Sequence, residues 1–252
     1  MELGLKNKNV LVIGASRGIG RSTALGFARE GALVTAVARS ESLLAALIEQ
    51  MKEFDGIDHA YHAVDVMETD PATLAARLLD ARGPFDVVVH VVGGSLTGRD
   101  PLGPLDLWHQ AWKFNAGVAI DMNSVLIRPM IKNRWGRVIH ISSISAVILR
   151  GNPLYASAKA YLNAYVTTVG RALADTGVVM SAVMPGAVAF EGSYWDGIAN
   201  KDPARCEDFF RCYQAVKRFG KPKEVADVVL FLASEQATFM QASVVPVPGA
   251  SM

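Results

Sequence analysis

The sequence predicts an α/β fold: a doubly wound, Rossmann-like parallel sheet of about seven strands with helices on both faces. Short apolar segments alternate with helical patterns of ten or more residues along almost the whole chain. Strand, helix and strand repeated in this way require a parallel sheet with right-handed crossovers. The composition agrees, because 51% of the residues are hydrophobic and only 19% are charged, which is enough apolar material to cover both faces of a sheet.

The elements follow from hydrophobic periodicity and from local start and stop signals. The predicted strands are residues 10–14, 33–38, 59–64, 86–92, 136–141, 178–184 and 243–247. The predicted helices are residues 20–30, 41–53, 71–82, 105–133, 154–175 and 223–234. Segment 86–92, DVVVHVV, is rich in β-branched residues, which is typical of a strand buried on both faces. Pro71 is compatible with the first turn of its helix.

The chain of 252 residues has no Pro/Gly-rich linker, charge run or low-complexity segment, so we predict one domain over residues 1–252. The longest stretch without clear periodicity is residues 186–220. It contains Phe190, Tyr194, Trp195, Phe209, Phe210 and Tyr213. A loop of this length in a compact domain is usually functional, and we interpret it as a substrate lid. The alternative is a helical insertion packed on the surface or against a partner subunit.

Charge and composition exclude several classes of protein. With 25 basic and 24 acidic residues, the chain offers no electrostatic basis for binding nucleic acid or an anionic membrane. Residues 1–9 are polar, unlike a signal peptide, and no apolar stretch approaches the ~18 residues of a membrane span. Cys206 and Cys212 lack a second Cys/His pair at metal spacing, so we predict no metal site. The alternatives for the two thiols are a disulfide and, in the reducing cytoplasm that we expect, two free thiols, which we predict. We expect a soluble cytoplasmic protein.

A glycine-rich turn, Gly14-Ala-Ser-Arg-Gly18-Ile-Gly20, directly follows the first strand and opens a helix. Glycines at these positions allow a tight turn and let backbone N–H groups approach a pyrophosphate at the positive end of the helix. The spacing is G-x-x-x-G-x-G rather than the commoner G-x-G-x-x-G. In this strand, turn and helix context it predicts a dinucleotide site.

The end of the second strand distinguishes the two nicotinamide cofactors. An NAD site places Asp or Glu there for the ribose 2′-hydroxyl, whereas an NADP site offers a cation to the 2′-phosphate. Here the run is Val37-Ala38-Arg39-Ser40, without a carboxylate. Together with Arg17 in the glycine turn, Arg39 predicts a charge-assisted clamp on the phosphate and therefore NADP(H). The alternatives are a solvated turn residue for Arg17 and a plain strand-end cation for Arg39.

Tyr155 and Lys159 lie four residues apart in a predicted helix and therefore share one face. An ammonium held beside a phenol favours the phenolate, so we expect Lys159 to lower the pKa of Tyr155 from about 10 toward neutrality. A hydroxyl from Ser143 could bind the same substrate oxygen that the phenol protonates. This arrangement suits proton transfer at an oxygen atom.

Taken in chain order, these motifs resemble those of the short-chain dehydrogenase/reductase family, and the resemblance covers nearly the whole chain. It is carried by the glycine turn, Asp65-Val66, Asn115, Ser143, Tyr155-x-x-x-Lys159 and Pro185-Gly186. The resemblance implies that Tyr155 is the general acid/base and that Lys159 binds the nicotinamide ribose. It further implies that Ser143 bonds the substrate carbonyl and that Asn115 holds a water linking Lys159 to solvent. Ser143 is preferred to Ser142 because its 28-residue distance from Asn115 is similar to the family's spacing.

The resemblance also implies which residues contact NADP(H). They are Gly14, Ser16, Arg17, Gly18, Ile19, Gly20, Arg39, Ser40, Asp65, Val66, Gly93, Tyr155, Lys159, Pro185, Gly186 and Val188. The implied reaction is the reversible, NADPH-dependent reduction of a ketone, either a 3-oxoacyl thioester or a ring ketone, to a secondary alcohol. The alternatives are a nicotinamide-binding sensor without catalysis and a scaffold subunit. Similar proteins commonly form tetramers through the helices at 105–133 and 154–175, so we expect a homotetramer or homodimer.

The sequence departs from the family's pattern at several positions. Ile13 stands where a Thr usually precedes the turn, His90-Val91-Val92-Gly93 replaces an Asn-Asn-Ala-Gly run, and Phe190 stands where a Thr often bonds the nicotinamide carboxamide. In its apolar strand, we interpret His90 as structural. Arg99 and Arg150 either border the pocket, where they would favour an anionic substrate group, or are solvated surface residues.

Overall fold

The computed structural model describes residues 2–95, 98 and 100–251. The strands of this part of the chain are β1 Asn9–Ile13, β2 Leu33–Ala38, β3 Ala60–Ala63, β4 Val87–His90, β5 Gly136–Ile141, β6 Val178–Pro185 and β7 Val244–Val247. They form one sheet in the order β3-β2-β1-β4-β5-β6-β7, and every neighbouring pair is parallel. The predicted fold class is confirmed.

Ten α-helices connect or flank the strands of the described residues. They are α1 Gly18–Arg29, α2 Glu41–Asp55, α3 Pro71–Arg82, α4 Leu105–Trp112, α5 Val118–Asn133, α6 Ser145–Ile148, α7 Pro153–Ala172, α8 Tyr194–Lys201, α9 Pro203–Tyr213 and α10 Pro222–Ala233. A π-helical turn, Lys113–Gly117, joins α4 to α5. The predicted helix over residues 105–133 is therefore two α-helices separated by an irregular turn.

Helix starts follow the local signals in the sequence. In α3, Pro71 occupies the first turn, and the Asp70 carboxylate accepts a 2.8 Å hydrogen bond from the Thr73 N–H. Such a cap satisfies one of the N–H groups that a helix leaves open at its start, and proline has no N–H to satisfy. This combination explains why the predicted and observed limits of α3 coincide.

Two apolar cores lie on opposite faces of the sheet. Strand β1 supplies Val10 and Val12 to one core and Leu11 and Ile13 to the other, as the alternation of side chains along a strand requires. Helices α1, α2 and α10 cover the first face, and α3, α5 and α7 cover the second. Burial on both faces explains the continuous apolar strands.

The order in which strands are added to the sheet reverses between β1 and β4, since β2 and β3 lie on one side of β1 and β4 to β7 on the other. In sheets of this kind, a crevice opens beyond the carboxyl ends of the strands at that switch point. The segments that follow β1, β4 and β5 therefore meet at one edge. This edge carries the glycine turn, Gly93 and Ser143.

The prediction that residues 186–220 lack regular structure is wrong, because they contain α8 and α9. The two ends of the segment meet in a bridge between Val188 and Gly220. Trp195 packs against Phe209 and Phe219, with ring centroids 4.4 and 5.3 Å apart. The aromatic residues therefore form a small core of their own, and periodicity was obscured because each helix is short. The role of residues 186–220 as a substrate lid stays a prediction.

The remaining predictions concern membrane spans, metal sites, the two cysteines and Arg99. Among the described residues, no helix combines the length and apolar character needed to cross a bilayer, and no group of three or more His, Cys, Asp or Glu side chains could hold a metal ion. Cys206 is buried, Cys212 is exposed, and both are free. Arg99 lies outside the described residues.

A buried polar network crosses the middle of the sheet. His90 of β4 and His140 of β5 are paired in register and stack with ring centroids 4.8 Å apart. Nε2 of His90 lies 2.9 Å from Oδ1 of Asn123, whose amide nitrogen donates to the Tyr165 hydroxyl at 3.1 Å. Burial lowers the pKa of His90 to about 4 and holds that of His140 well below its usual value. Both rings are therefore neutral at pH 7, and His90 is structural as interpreted.

We expect the free energy of unfolding to fall as the pH drops from about 6.5 to about 4. In the unfolded chain His90 takes up a proton near pH 6.5, whereas the folded protein resists protonation until about pH 4, so acid favours the unfolded state. His90 alone accounts for about 3 kcal/mol of this loss.

Urea unfolding at a series of pH values measures the effect. His90→Asn is expected to reduce the slope of unfolding free energy against pH by up to one proton, because this protonation is then absent. The matched control is His109→Gln, at an exposed position on α4, which is expected to leave the slope unchanged. Equal slopes for the wild type and His90→Asn would contradict the prediction.

Candidate active site and cofactor cleft

Helix α7 presents Tyr155 in its first turn. Oδ1 of Asn152 caps the helix by accepting hydrogen bonds from the N–H groups of Leu154 and Tyr155, at 3.0 and 3.4 Å. Nδ2 of Asn152 donates to the carbonyl of Gly98 at 2.8 Å. One side chain therefore fixes both the start of the helix and the loop after β4. Sequence reasoning missed this residue, although Asn followed by Pro153 is a recognisable helix start.

One turn further along α7, Lys159 is buried, with 3% of its surface exposed. Its Nζ donates a 2.7 Å hydrogen bond to the carbonyl of Ile141, the last residue of β5. Burial lowers the pKa of Lys159 to about 7, because an ammonium loses hydration in an apolar environment. Near neutral pH, Lys159 is therefore present in both charged and neutral forms.

The Tyr155 side chain is partly buried, and its hydroxyl lies beside the side chain of Ser143. Burial raises the pKa of Tyr155, and the nearby Ser143 hydroxyl opposes this shift. The expectation that Lys159 lowers the pKa of Tyr155 is therefore wrong for this structure. The physical reason is that Nζ of Lys159 lies 5.9 Å from the phenol ring centroid and is itself only partly protonated at neutral pH. Tyr155 is a protonated phenol at pH 7.

The two neighbouring serines have different partners. Oγ of Ser143 accepts a 3.1 Å bond from the N–H of Ser145 and faces Tyr155. Oγ of Ser142 instead donates to Oδ1 of Asn163 at 2.5 Å. Only Ser143 of this pair is described beside the phenol, which is the arrangement that its predicted role requires.

Asn115 lies in the π-helical turn between α4 and α5, and it is buried. Nδ2 of Asn115 donates to the carbonyls of Ala111 and Gly94 at 2.9 and 3.0 Å, and Oδ1 accepts from the Gly94 N–H at 2.9 Å. The carbonyl of Ala111, four residues earlier, is one that a regular α-helix pairs with a backbone N–H. Such irregular turns are frequent at functional sites. Here the turn joins α4 to the loop after β4.

The polar groups of Asn115 and Lys159 both lie against Gly93. A Cβ placed on Gly93 would lie 2.7 Å from both Oδ1 of Asn115 and Nζ of Lys159. The backbone φ of Gly93 is +149°, a value that other residues rarely adopt. Glycine therefore leaves the space that these two polar groups occupy. The four predicted catalytic residues thus converge from β5, α7 and the π-helical turn.

The glycine turn is built for close approach of an anion. A Cβ on Gly20 would lie only 2.1 Å from the carbonyl oxygen of Gly14, so the turn closes only with glycine there. The residue before α1, Arg17, makes no side-chain cap, and the first turn of α1 holds no acidic residue. The positive end of the helix is therefore not neutralised by the side chains around it.

The two predicted phosphate-binding arginines have separate neighbours. Nη1 of Arg39 lies 3.7 Å from Oδ2 of Asp65, and the Arg39 side chain is 79% exposed. Nη1 of Arg17 lies 2.9 Å from where a Cβ on Gly192 would stand. Arg17 therefore contacts the segment between β6 and α8. Neither contact follows from the sequence, since both depend on residues distant along the chain.

The other predicted cofactor residues lie at strand ends, at the start of α1 and in the connecting loops along the same edge of the sheet. They are Ser16, Ile19, Ser40, Val66, Pro185, Gly186 and Val188. Gly186 permits a close approach, because a Cβ there would lie 2.5 Å from the Pro248 carbonyl oxygen. Beside Tyr155, a narrow cleft is lined by Gly94, Leu107 and Leu154 among others. Arg150 does not point free into solvent, since its guanidinium lies 3.8 Å from the Tyr213 ring centroid.

Comparison with known proteins shows which enzymes this chain is similar to. Residues 14–249 match the family model described as enoyl-(acyl carrier protein) reductase. The chain is 30% identical to a 3-oxoacyl-[acyl-carrier-protein] reductase of Pseudomonas aeruginosa, over 98% of both chains. It is 31% identical to a glucose 1-dehydrogenase of Gluconobacter oxydans, over 96% of this chain and 91% of that protein.

A solved structure has the same fold. The crystal structure of L-sorbose reductase from Gluconobacter frateurii, complexed with NADPH and L-sorbose, superposes with a TM-score of 0.92 at 25% identity. The match covers 100% of this chain and 99% of the other. The glycine turn, the Tyr155 and Lys159 pair, and the sheet order therefore occur in a chain that is similar to oxidoreductases from end to end.

The tightness of the glycine turn is testable through stability. We expect Gly20→Ala to lower the free energy of unfolding by about 1–3 kcal/mol, because the added methyl group meets a backbone carbonyl that cannot move freely. The matched control is Gly197→Ala in α8, where a Cβ would meet nothing within 4 Å. Removing a helical glycine there is expected to stabilise the protein slightly. Urea unfolding measures both, and equal effects would contradict the prediction.

Proposed function

Because the chain belongs to the short-chain dehydrogenase/reductase family of oxidoreductases, we propose that it reduces a ketone reversibly to a secondary alcohol with NADPH. The observation that carries this proposal is the convergence of Ser143, Tyr155 and Lys159 at the carboxyl edge of the sheet. Similar enzymes act on 3-oxoacyl groups and on sugars, as their names state. We therefore propose that the substrate of this protein is a small molecule with a carbonyl group.

The residues present fit NADP(H). The open positive end of α1 would hold the pyrophosphate, and Arg39 with Arg17 would hold the 2′-phosphate. Lys159 and Asn115 meet at Gly93, where Lys159 would bond the nicotinamide ribose. When bound, the cofactor supplies a hydride to the carbonyl carbon.

The side chains of the protein supply the proton and the orientation. The phenol of Tyr155 is protonated at neutral pH, since burial raises its pKa, and it donates this proton to the carbonyl oxygen. Ser143, beside the same hydroxyl, would hold the carbonyl oxygen in place. Lys159, through a water held by Asn115, would return protons from solvent to the site. A protonated phenol suits reduction, and alcohol oxidation requires the phenol to lose its proton first.

The substrate class follows from what surrounds the cleft. Leu107 and Leu154 make the cleft apolar on one side, and residues 186–220 would close over it as a lid. Arg150 stacks on Tyr213 of this segment, which places a cation at the side of the lid. A ketone that is partly apolar and carries an anionic or polar group fits these surroundings. A 3-oxoacyl thioester and a polyhydroxylated ketone both meet this description, and a panel of ketones separates them.

We propose a homotetramer or homodimer built on the helices at 105–133 and 153–172. In support, Trp112 of α4 and Tyr161 of α7 are 37% and 49% exposed and pack edge to face, with centroids 5.8 Å apart. Exposed aromatic pairs of this kind are typical of interfaces. A sensor or scaffold role would not require Ser143, Tyr155 and Lys159 together, which favours the enzyme.

Replacing Tyr155 by Phe is expected to reduce turnover by about 10²–10⁴-fold while NADPH binding stays nearly unchanged, because only the proton donor is lost. Steady-state kinetics with a ketone and NADPH fluorescence titration measure the two quantities. Tyr161→Phe removes a hydroxyl from the exposed face of the same helix and is the matched control. Turnover retained in Tyr155→Phe would refute the proposed role.

Charge reversal at Arg39 tests the cofactor. In Arg39→Asp, we expect the ratio of kcat/KM for NADPH to that for NADH to fall by about 10- to 100-fold, since a charge-assisted contact with the 2′-phosphate is lost. Lys132→Asp, at an exposed position near the end of α5, controls for the change in net charge. An unchanged ratio in Arg39→Asp would remove this residue from the phosphate site.

A further inference from the structure

The ring of Phe190 covers the glycine turn. A Cβ placed on Gly18 would lie 2.5, 2.6 and 2.8 Å from the Cζ, Cε1 and Cε2 atoms of Phe190. The tip of the ring therefore packs directly on Gly18, and Gly18 is buried. Gly18 is the first residue of α1, where the N–H groups of the helix are open. An apolar ring at this place covers the surface that an anion requires.

The backbone around Phe190 is held on both sides. The Ala189 N–H donates to the Gly220 carbonyl at 3.0 Å, and the Gly220 N–H donates to the Ala187 carbonyl at 2.8 Å. The Phe190 N–H donates to Oγ of Ser193 at 3.1 Å. Phe190 therefore directly follows residues 187–189, which are hydrogen-bonded to Gly220 at the other end of segment 186–220. The ring leaves Gly18 by rotating about its own side-chain bonds or with the short turn up to Ser193.

The far end of the same segment is anchored elsewhere. Gln214 is buried, and its Oε1 accepts a 2.6 Å bond from the Ser251 hydroxyl. Its Nε2 donates to the carbonyls of Pro248 and Gly249 at 3.3 Å. Val188 belongs to a buried core of the sheet, and Gln214 is bonded to residues 248, 249 and 251, so both are fixed to the body of the protein. The contact with the glycine turn is made by the part between them, through Phe190 and through Gly192 beside Arg17.

We propose that Phe190 gates the cofactor site, so that its ring must leave Gly18 before the pyrophosphate of NADPH reaches the start of α1. The ring lies against Gly18 at the start of α1 and has no polar atom to offer the phosphates. Only molecules with the ring displaced bind, so the apparent Kd equals the intrinsic Kd divided by the displaced fraction. Phe190 thereby weakens and slows the binding of NADPH. This inference rests on the proposed function, because it takes the cofactor from there.

The alternative role for Phe190 is to stack on the bound cofactor, and it predicts a change in Kd in the opposite direction. An aromatic ring that stacks on the bound nicotinamide strengthens binding, and its removal would then weaken the complex. The direction of the change in Kd therefore decides between a gate and a stacking platform. Burial of Gly18 under the ring tip favours the gate.

The experiment is stopped-flow measurement of NADPH fluorescence with the full chain, comparing wild type with Phe190→Ala and Phe190→Thr. We expect the association rate to rise and Kd to fall, each by about 5- to 10-fold, with a nearly unchanged dissociation rate. Phe190→Trp, which enlarges the ring over Gly18, is expected to slow association below the wild-type rate. Thermal unfolding checks that each variant is folded, and Phe190→Thr carries the test if Phe190→Ala is not.

The matched control is Phe219→Ala, which removes an identical ring from the aromatic core formed with Trp195 and Phe210. It is expected to leave the association rate within about twofold of the wild type. Equal acceleration by Phe219→Ala would overturn the gate, since general loosening of the segment would explain both results. Unchanged or weaker binding of NADPH in Phe190→Ala and Phe190→Thr would overturn it as well.

The outcomes separate this inference from the proposed function. If the Phe190 variants bind NADPH faster but no ketone is reduced by any form of the protein, the gate stands and the proposed function fails. If the wild type reduces a ketone and the variants bind NADPH no faster, the proposed function stands and the gate fails. If neither wild type nor variants bind NADPH, both fail.

Discussion

The hydrogen bond from Nζ of Lys159 to the carbonyl of Ile141 is the interaction on which the site depends. A buried ammonium is costly unless a polar partner meets it, and the lowering of the Lys159 pKa to about 7 reflects that cost. The bond ties α7 to the end of β5. Since Tyr155 is one turn before Lys159, and Ser143 is two residues after Ile141, the same bond brings phenol and hydroxyl together.

Hydrogen bonds between side chains and backbone hold the rest of this edge. Asn115 bonds both polar groups of Gly94, and Asn152 bonds Gly98 while capping α7. The loop after β4 is therefore positioned by two amides that belong to different helices. Rigid elements therefore orient the reactive groups. In the proposed function, segment 186–220 would face the substrate, so that chemistry and specificity would lie on different parts of the fold.

The cofactor side combines attraction with obstruction. The open start of α1 and two arginines favour a dinucleotide with an additional phosphate. Asp65 beside Arg39 and the Phe190 ring on Gly18 oppose it. Both opposing contacts are made by side chains rather than by the backbone, so the proposed gate would alter the affinity and rate of cofactor binding rather than the backbone shape of the cleft.

The sequence by itself determined the fold class and the order of the seven strands and the main helices along the chain, and it indicated Tyr155, Lys159, Ser143 and Asn115 as the candidate catalytic residues. These features depend on local periodicity and on spacing along a single helix or strand, which one chain displays directly. The limits of β2, α3 and β5 coincide with their predicted limits for the same reason.

Only the tertiary structure decided the electrostatics and the contacts between distant residues. Burial raises the pKa of Tyr155, although its spacing from Lys159 suggested the reverse, because desolvation depends on everything packed around a group. The ring of Phe190 contacts Gly18, and because the two residues are far apart along the chain, no local sequence pattern predicts this contact. Likewise, α8 and α9 exist because Trp195, Phe209 and Phe219 pack on one another, and short helices gain their stability from such packing rather than from local pattern.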